Sequence, residues 1–174
     1  KGDIIFRSND MELLHTIPYF PVYMGCTDQN IDDDIVAEQS WEISRSTGTL
    51  QLKKLIPLEI LYQAPHNESI GPTWNAHHLE FAQFILHDKP KNVLEIGGAH
   101  GTLSKNCNDM AGNINWTIVE PNAVLSNGHN KHIKIIDSFF DDNFQWEGEL
   151  DLIVHSHVFE HIYDPIKFTS KCSS

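Results

Sequence analysis

The run Val93-Leu94-Glu95-Ile96-Gly97-Gly98-Ala99-His100-Gly101 constrains this chain more than any other segment. A short apolar stretch, 92–96, enters a cluster of glycines, and 103–110 behind it reads as a helix. A continuous apolar run of that length suits a strand covered on both faces. Glycine lets the backbone turn sharply and come close to a ligand. Three more apolar runs follow, at 114–120, 133–137 and 150–155, with a helical turn starting at 122–127. Before the glycine cluster, Trp74, His78, Phe81 and Ile85 recur at helical spacing, so 73–87 reads as an amphipathic helix ended by Lys89-Pro90-Lys91. Strands separated by helices predict an α/β fold: a Rossmann-like, doubly wound parallel sheet.

The first 72 residues have a different texture, with Pro18, Pro21, Pro57, Pro65 and Pro72 breaking any regular period. They read as a small irregular appendage, and 73–174 as the sheet domain. Within the appendage, 41–44 alternates like a short strand, and 49–52 is its hairpin partner across Thr47-Gly48. Residues 57–62 suit one helical turn with proline at its first position. Asp32-Asp33-Asp34 reads as a solvated loop or a helix start.

Charge and cysteine usage narrow the function. Twelve basic residues against twenty-four acidic give a net charge of -12. Such a chain repels a phosphate backbone, so a nucleic acid partner is not expected. Lys53-Lys54 and Lys89-Pro90-Lys91 read as solvated charges. No apolar stretch approaches the ~18 residues of a membrane span. The N-terminal residues lack the apolar core of a secretion signal, so a cytoplasmic location is expected. Cys26, Cys107 and Cys172 are odd in number and never in C-x-x-C spacing. Neither a disulfide framework nor a cysteine-paired zinc site is expected.

Four motifs carry the chemistry. The glycine turn departs from G-x-G-x-x-G, which disfavours a dinucleotide pyrophosphate. Glu95, two residues before Gly97, stands where the ammonium of a methionine moiety can be read, directly or through water. Glu120 ends the second strand as Ile118-Val119-Glu120-Pro121, where an acid can bond both ribose hydroxyls of an adenosine. Taken alone it reads as a solvated loop acid. Asp137 follows the third strand and can accept from an adenine amino group, with Phe139 or Phe140 against the ring. A helix cap is its competing role. The fourth strand ends at the polar cluster His155-Ser156-His157-Val158-Phe159-Glu160-His161.

In that order, these motifs resemble a class I S-adenosylmethionine-dependent methyltransferase. More narrowly, residues 40–168 resemble the sugar C-methyltransferase family that carries a small N-terminal zinc-binding domain. Gly48-Thr49-Leu50-Gln51-Leu52, Pro57, Leu61-Tyr62 and the segment from Ser69 to His78 carry that likeness. The resemblance implies S-adenosylmethionine as cofactor, held by Glu95, Gly97, Gly98, Gly101, Glu120, Asp137, Ser138 and His157. It implies a small-molecule acceptor, a sugar or sugar nucleotide, and His161 as the base with Glu160 as second choice.

The chain departs from the family at three places. Ser44 and Thr47 stand near the positions of zinc cysteines, so no metal is expected. Ala99 and His100 replace small polar residues in the turn. The sequence stops at Ser174, soon after the fourth strand, whereas the family continues with more strands and a C-terminal domain. The fourth strand is thus expected at a sheet edge, open to pairing with a second copy.

Other readings compete. One is a non-catalytic cofactor-binding or assembly subunit, or a fragment of a larger methyltransferase. Another is a nicotinamide dehydrogenase, which the glycine spacing opposes. His157-x-x-Glu160-His161 matches the inverted zinc-peptidase string, which needs both histidines on a helix; here a buried strand precedes it. Some methyltransferases hold a divalent ion with Glu-x-x-Glu-His at this position, and His157 replaces the first of those acids.

Overall fold

The computed structural model describes residues 2–22, 30–61, 71–123 and 131–173. Cys26, Tyr62, Pro65, Ser69 and the later part of the expected helical turn at 122–127 lie outside the described residues. Contacts divide the chain into two compact units: Lys1–His66 with Tyr163–Lys167, and Asn67–Ile162 with Phe168–Ser174.

The second unit holds four parallel strands, β4 (Asn92–Ile96), β5 (Asn115–Val119), β6 (Ile133–Ile136) and β7 (Leu152–His155), in the order β6-β5-β4-β7. The fold is therefore α/β and Rossmann-like, with the order reversing at β4. A helix, α2 (Pro72–Leu86), precedes β4, and α3 (Thr102–Ala111) follows it. Strand residues alternate between two buried faces. On one, Val93, Trp116, Ile118 and Val154 pack against Ala82 and Ile85 of α2 and Leu103 and Cys107 of α3. On the other, Leu94 and Val119 pack with Phe144, flanked by Phe140, Trp146 and Ile153. Phe168, from α4 (Pro165–Cys172), meets Phe140, His155 and Phe159 edge-on or tilted. Two-sided burial is what makes these strands nearly uninterrupted apolar runs.

The first unit is an antiparallel sheet of β1 (Met11–Pro21), β2 (Val36–Ser44) and β3 (Leu50–Leu52), followed by one short turn, α1 (Leu58–Leu61). The β2–β3 hairpin has the expected place, with Ile43 opposite Leu50. The acidic run starts as a 3-10 turn at Ile31–Asp33. β1 corrects the expectation of an irregular start. Its register against β2 shifts between Leu13 and His15 and again between Ile17 and Phe20, around Pro18. Each shift flips the inward-facing set, and a proline cannot donate to the ladder, so no simple alternation survives in the sequence.

A polar knot, not an apolar core, joins the start of this unit to its hairpin. Asp3, fully buried, accepts from the backbone of Ile5, Phe6 and Ser8 and from the Ser8 hydroxyl. Ser8 Oγ lies 3.0 Å from Ser44 Oγ, and Ser44 Oγ donates to Asp10 Oδ1 at 2.7 Å. Thr47 N donates to Ser44 Oγ and Ser46 N to Asp10 Oδ2. Ser44 and Thr47 thus belong to a hydrogen-bonded network. Among the described residues no group of three or more His, Cys, Asp or Glu is arranged to hold a metal ion.

These bonds hold the Asp10 carboxyl well below its ordinary 3.8, the Ser44 hydroxyl contributing most, and the Ser8 hydroxyl does the same for Asp3. A depressed carboxyl stabilises the fold above its unfolded value and loses that contribution as pH falls through the folded value. The network's contribution is therefore expected to begin falling below about pH 4 and to be lost only as pH passes the folded value further down. Ser44→Ala should destabilise the chain by about 0.5–1.5 kcal/mol at neutral pH, the net worth of a hydrogen bond whose partners can turn to water. Urea unfolding at pH 7 and pH 3 checks both: the variant's deficit should shrink in acid.

Candidate functional site

The order reversal at β4 opens a crevice at the carboxyl ends of β4 and β7, where ligands settle in sheets of this kind. The glycine turn lies at that point. Gly97 N donates to Val119 O at 2.9 Å, which fastens the turn to the end of β5. Gly97 has φ 71° and Ala99 φ 41°, both left-handed. A Cβ on Gly97 would collide with the Val158 side chain beyond β7, and one on Gly98 would sit 2.7 Å from Ile118 Cγ2 and 2.8 Å from Glu95 Cδ. Gly101, also left-handed, precedes α3, whose first turn has no side-chain cap. Its leading N–H groups are left for another acceptor.

Glu95 lies on the face shared with Trp116 and Ile118, because alternate strand residues share a face. It is 5% exposed, beneath the turn, and Trp116 Nε1 donates to its Oε2 at 2.7 Å. Burial pushes its carboxyl up to about 7, against the indole bond that favours the charge, with Glu120 adding a small upward push. Burial pushes the Cys107 thiol up to about 12, and the Glu95 charge adds to this.

The other expected residues take distinct places. Glu120 is half-buried just past β5; its Oε1 accepts from Asn122 N at 3.2 Å, and its second oxygen makes no hydrogen bond among the described residues. Asp137 is exposed just past β6. No helix follows it before β7, so the helix-cap alternative falls. Ser138 Oγ donates to the Phe139 carbonyl at 3.0 Å. Phe140, half-buried, packs on Phe144 and Phe168, with Lys171 Nζ 5.4 Å from its ring.

Beyond β7 the backbone bends at His157, whose φ of 54° is unusual for a side-chain-bearing residue. Its ring stands edge-on to Trp74 at 4.6 Å and to His77 at 5.4 Å. His77 Nε2 and Ser156 Oγ share a hydrogen bond of 2.9 Å. Glu160 Oε1 is 3.4 Å from His157 Nδ1. The imidazole within reach of it is thus that of His157, while His161, exposed, ends a 3-10 turn at Phe159–His161. The bond from its own backbone N–H, then the nearby His161 and His157, hold the Glu160 carboxyl below its ordinary range. With Glu160 and His161 in a single 3-10 turn, and His157 before it, the inverted zinc-peptidase arrangement is not formed.

Residues 67–172 match the family described as methyltransferase domain. The chain belongs to that family. No curated protein matches the sequence significantly. No helix among the described residues is long and apolar enough to cross a membrane.

In this methyltransferase domain the glycine turn, Glu120 and the segment after β7 gather at one end of the sheet, as parallel strands require. The sequence reading assigned no site role to Trp74, His77 or His78, using them as marks of helical period and as part of the segment that carries the family likeness. Their signal was the aromatic and imidazole spacing at 74, 77, 78 and 81, four residues of one helix face. The raised Glu95 carboxyl has a measurable consequence. A group whose folded value exceeds its unfolded value stabilises the fold below the unfolded value, 4.5, and that stability is lost as pH rises to about 7. The wild-type domain should lose about 3 kcal/mol across that window from this group, at 1.36 kcal/mol per pH unit. Glu95→Gln should flatten the loss, which melting temperatures at pH 5, 6, 7 and 8 would read.

Proposed function

We propose that this domain takes a methyl group from S-adenosylmethionine and passes it to a small-molecule acceptor, a sugar or sugar nucleotide. The observation that carries the donor is the glycine turn at the order reversal, with the unpaired Glu120 carboxylate oxygen at the next strand end. The residues present fit the group. The turn can sit low because Gly97 and Gly98 have no side chain to clash with Val158, Ile118 and Glu95. Among the described residues no side chain caps the first-turn N–H groups of α3. Glu120 has one oxygen to spare for a ribose diol.

When bound, the sulfonium supplies an already activated methyl group. The chain's residues then align, exclude water and move a proton. Gly97, Gly98 and Gly101 shape the cradle, and Glu95 meets the donor's positive end from beneath the turn. Glu120 takes the ribose hydroxyls, Asp137 and Ser138 the adenine edge, and His157 borders the methionine end. His161 is the base that accepts the acceptor's proton, with Glu160 second. The sugar class rests on the likeness of Gly48–Leu52, Pro57 and Leu61 to the sugar C-methyltransferase family. In this chain Ser44 and Thr47, near the zinc-cysteine positions of that family, make hydrogen bonds.

Titration calorimetry should show S-adenosylhomocysteine binding in preference to NAD; the opposite preference would reject the donor. Glu120→Ala should weaken that binding by about 1–3 kcal/mol, the cost of leaving polar groups unpaired. An unchanged affinity in a folded variant would return Glu120 to a loop acid. His161→Ala should slow methyl transfer ~100-fold or more with donor affinity preserved. Near-normal turnover would remove His161 from the base role.

A further inference from the structure

Three imidazoles and an indole, none needed by the donor site as described beyond His157, meet at the open end of β7. Trp74, His77 and His78 come from the start of α2, and His157 from the bend after β7. The ring centroids of His77 and His78 are 5.4 Å apart, as are those of His77 and His157. Trp74 lies 5.9 Å from His77 and 6.1 Å from His78. The cluster sits beside the glycine turn, since Val158, next to His157, is the side chain that a Cβ on Gly97 would strike.

Its hydrogen bonding is incomplete. His78 Nδ1 is a buried atom with no hydrogen-bond partner among the described residues. His77 spends Nε2 on Ser156, and His157 faces Glu160 through Nδ1. The remaining nitrogens, His77 Nδ1, His78 Nε2 and His157 Nε2, make no hydrogen bond among the described residues. A buried polar atom without a partner costs free energy, so such a group marks a place where a ligand or water belongs.

The charge balance identifies the ligand. Burial, then the neighbouring His77 and His157, hold His78 below its ordinary value of 6.5. The His78 imidazole thus resists a proton while its two neighbours carry one. Glu160 is the acid paired with this cluster, through His157. Glu80 on α2 is exposed, Ser104 and Cys107 of α3 are buried and uncharged, and Glu95 and Glu120 lie at the glycine turn and the end of β5 without a contact to these rings among the described residues. One acid in contact with three imidazoles leaves room for an anion to complete the site, by supplying the charge that lets protons settle on the rings.

We propose that Trp74, His77, His78 and His157 form a subsite for a phosphate group on the methyl acceptor, filled with uptake of protons. This rests on the methyltransferase reading and extends it to the acceptor's chemistry. The imidazole N–H groups donate to the phosphate oxygens, and Trp74 gives the adjoining part of the acceptor a flat apolar wall. Ser156 orients His77, and Glu160 orients His157.

Inorganic pyrophosphate, titrated into the full chain without donor, is the probe. Its affinity should fall about tenfold between pH 6 and pH 8, as the linked proton becomes harder to supply. Imidazole NMR should show at least two histidine pKa values rising when it is added. His77→Gln/His78→Gln should weaken pyrophosphate at pH 6 at least tenfold, and His78→Gln alone serves if the double variant does not fold. Binding that is flat with pH, imidazoles that ignore pyrophosphate, or a folded variant that binds like the wild type would each overturn the subsite. S-adenosylhomocysteine binding, measured separately, tests the donor reading, so the two can fail independently.

Discussion

The hydrogen bond between Trp116 and Glu95 is the interaction on which the rest of the site depends. A carboxyl that is 5% exposed has lost nearly all its water, and the indole N–H at 2.7 Å is the partner the fold gives Oε2. That bond draws the side chain flat against β5. The space above it is then shallow enough for Gly98 and for nothing larger, since a Cβ would meet Glu95 Cδ at 2.8 Å. The height of the glycine turn above the sheet is therefore set from below, by a carboxyl and an indole on neighbouring strands. A side chain that left Glu95 free to rise would lift the turn and misplace the start of α3.

The opposite face of the sheet supports the same strand ends by different means. Leu94, Val119 and Phe144 bury that side, and Lys171 reaches across to donate to the Phe144 carbonyl at 2.8 Å. Phe168 fills the space between Phe140, Phe159 and His155. The two faces have divided the labour: one face carries the buried carboxyl and the cradle, and the other is packed with rings that hold β6, β7 and the following turn in place.

The sheet was legible because its signals are local. Apolar runs of strand length, a glycine cluster and helical periodicity each need only a few neighbouring residues to be recognised. Hence β4 to β7, α2 and α3 all lie where the pattern put them, and Glu120 and Asp137 fall just past their strand ends. What escaped the reading is long-range. β1 hides behind two register shifts. The Asp3–Ser8–Ser44–Asp10 network joins residues more than thirty positions apart, and polar residues carry no period. His77 and Ser156 are separated by 79 positions, so their bond exists only once α2 is laid beside β7. Glu95 was recognised as a site residue, yet its burial under Gly98 follows from the face it shares with Trp116, which only the strand register reveals.

These long-range pairings also decide how an acidic protein can handle an acidic ligand. With a net charge of -12 the molecule as a whole repels anions. Attraction must then be local and must avoid adding to the acid already in the crevice. The structure meets this in two ways. It buries Glu95 until its carboxyl sits near 7, so that much of its charge is withheld at neutral pH when no cation is present. It also sets imidazoles, whose charge appears on demand, beside the turn, where a lysine would remain charged throughout and pair with Glu160 or Glu120. A cationic donor would draw the proton off Glu95, and an anionic acceptor would draw protons onto the histidines. Each ligand thus makes the charge it needs.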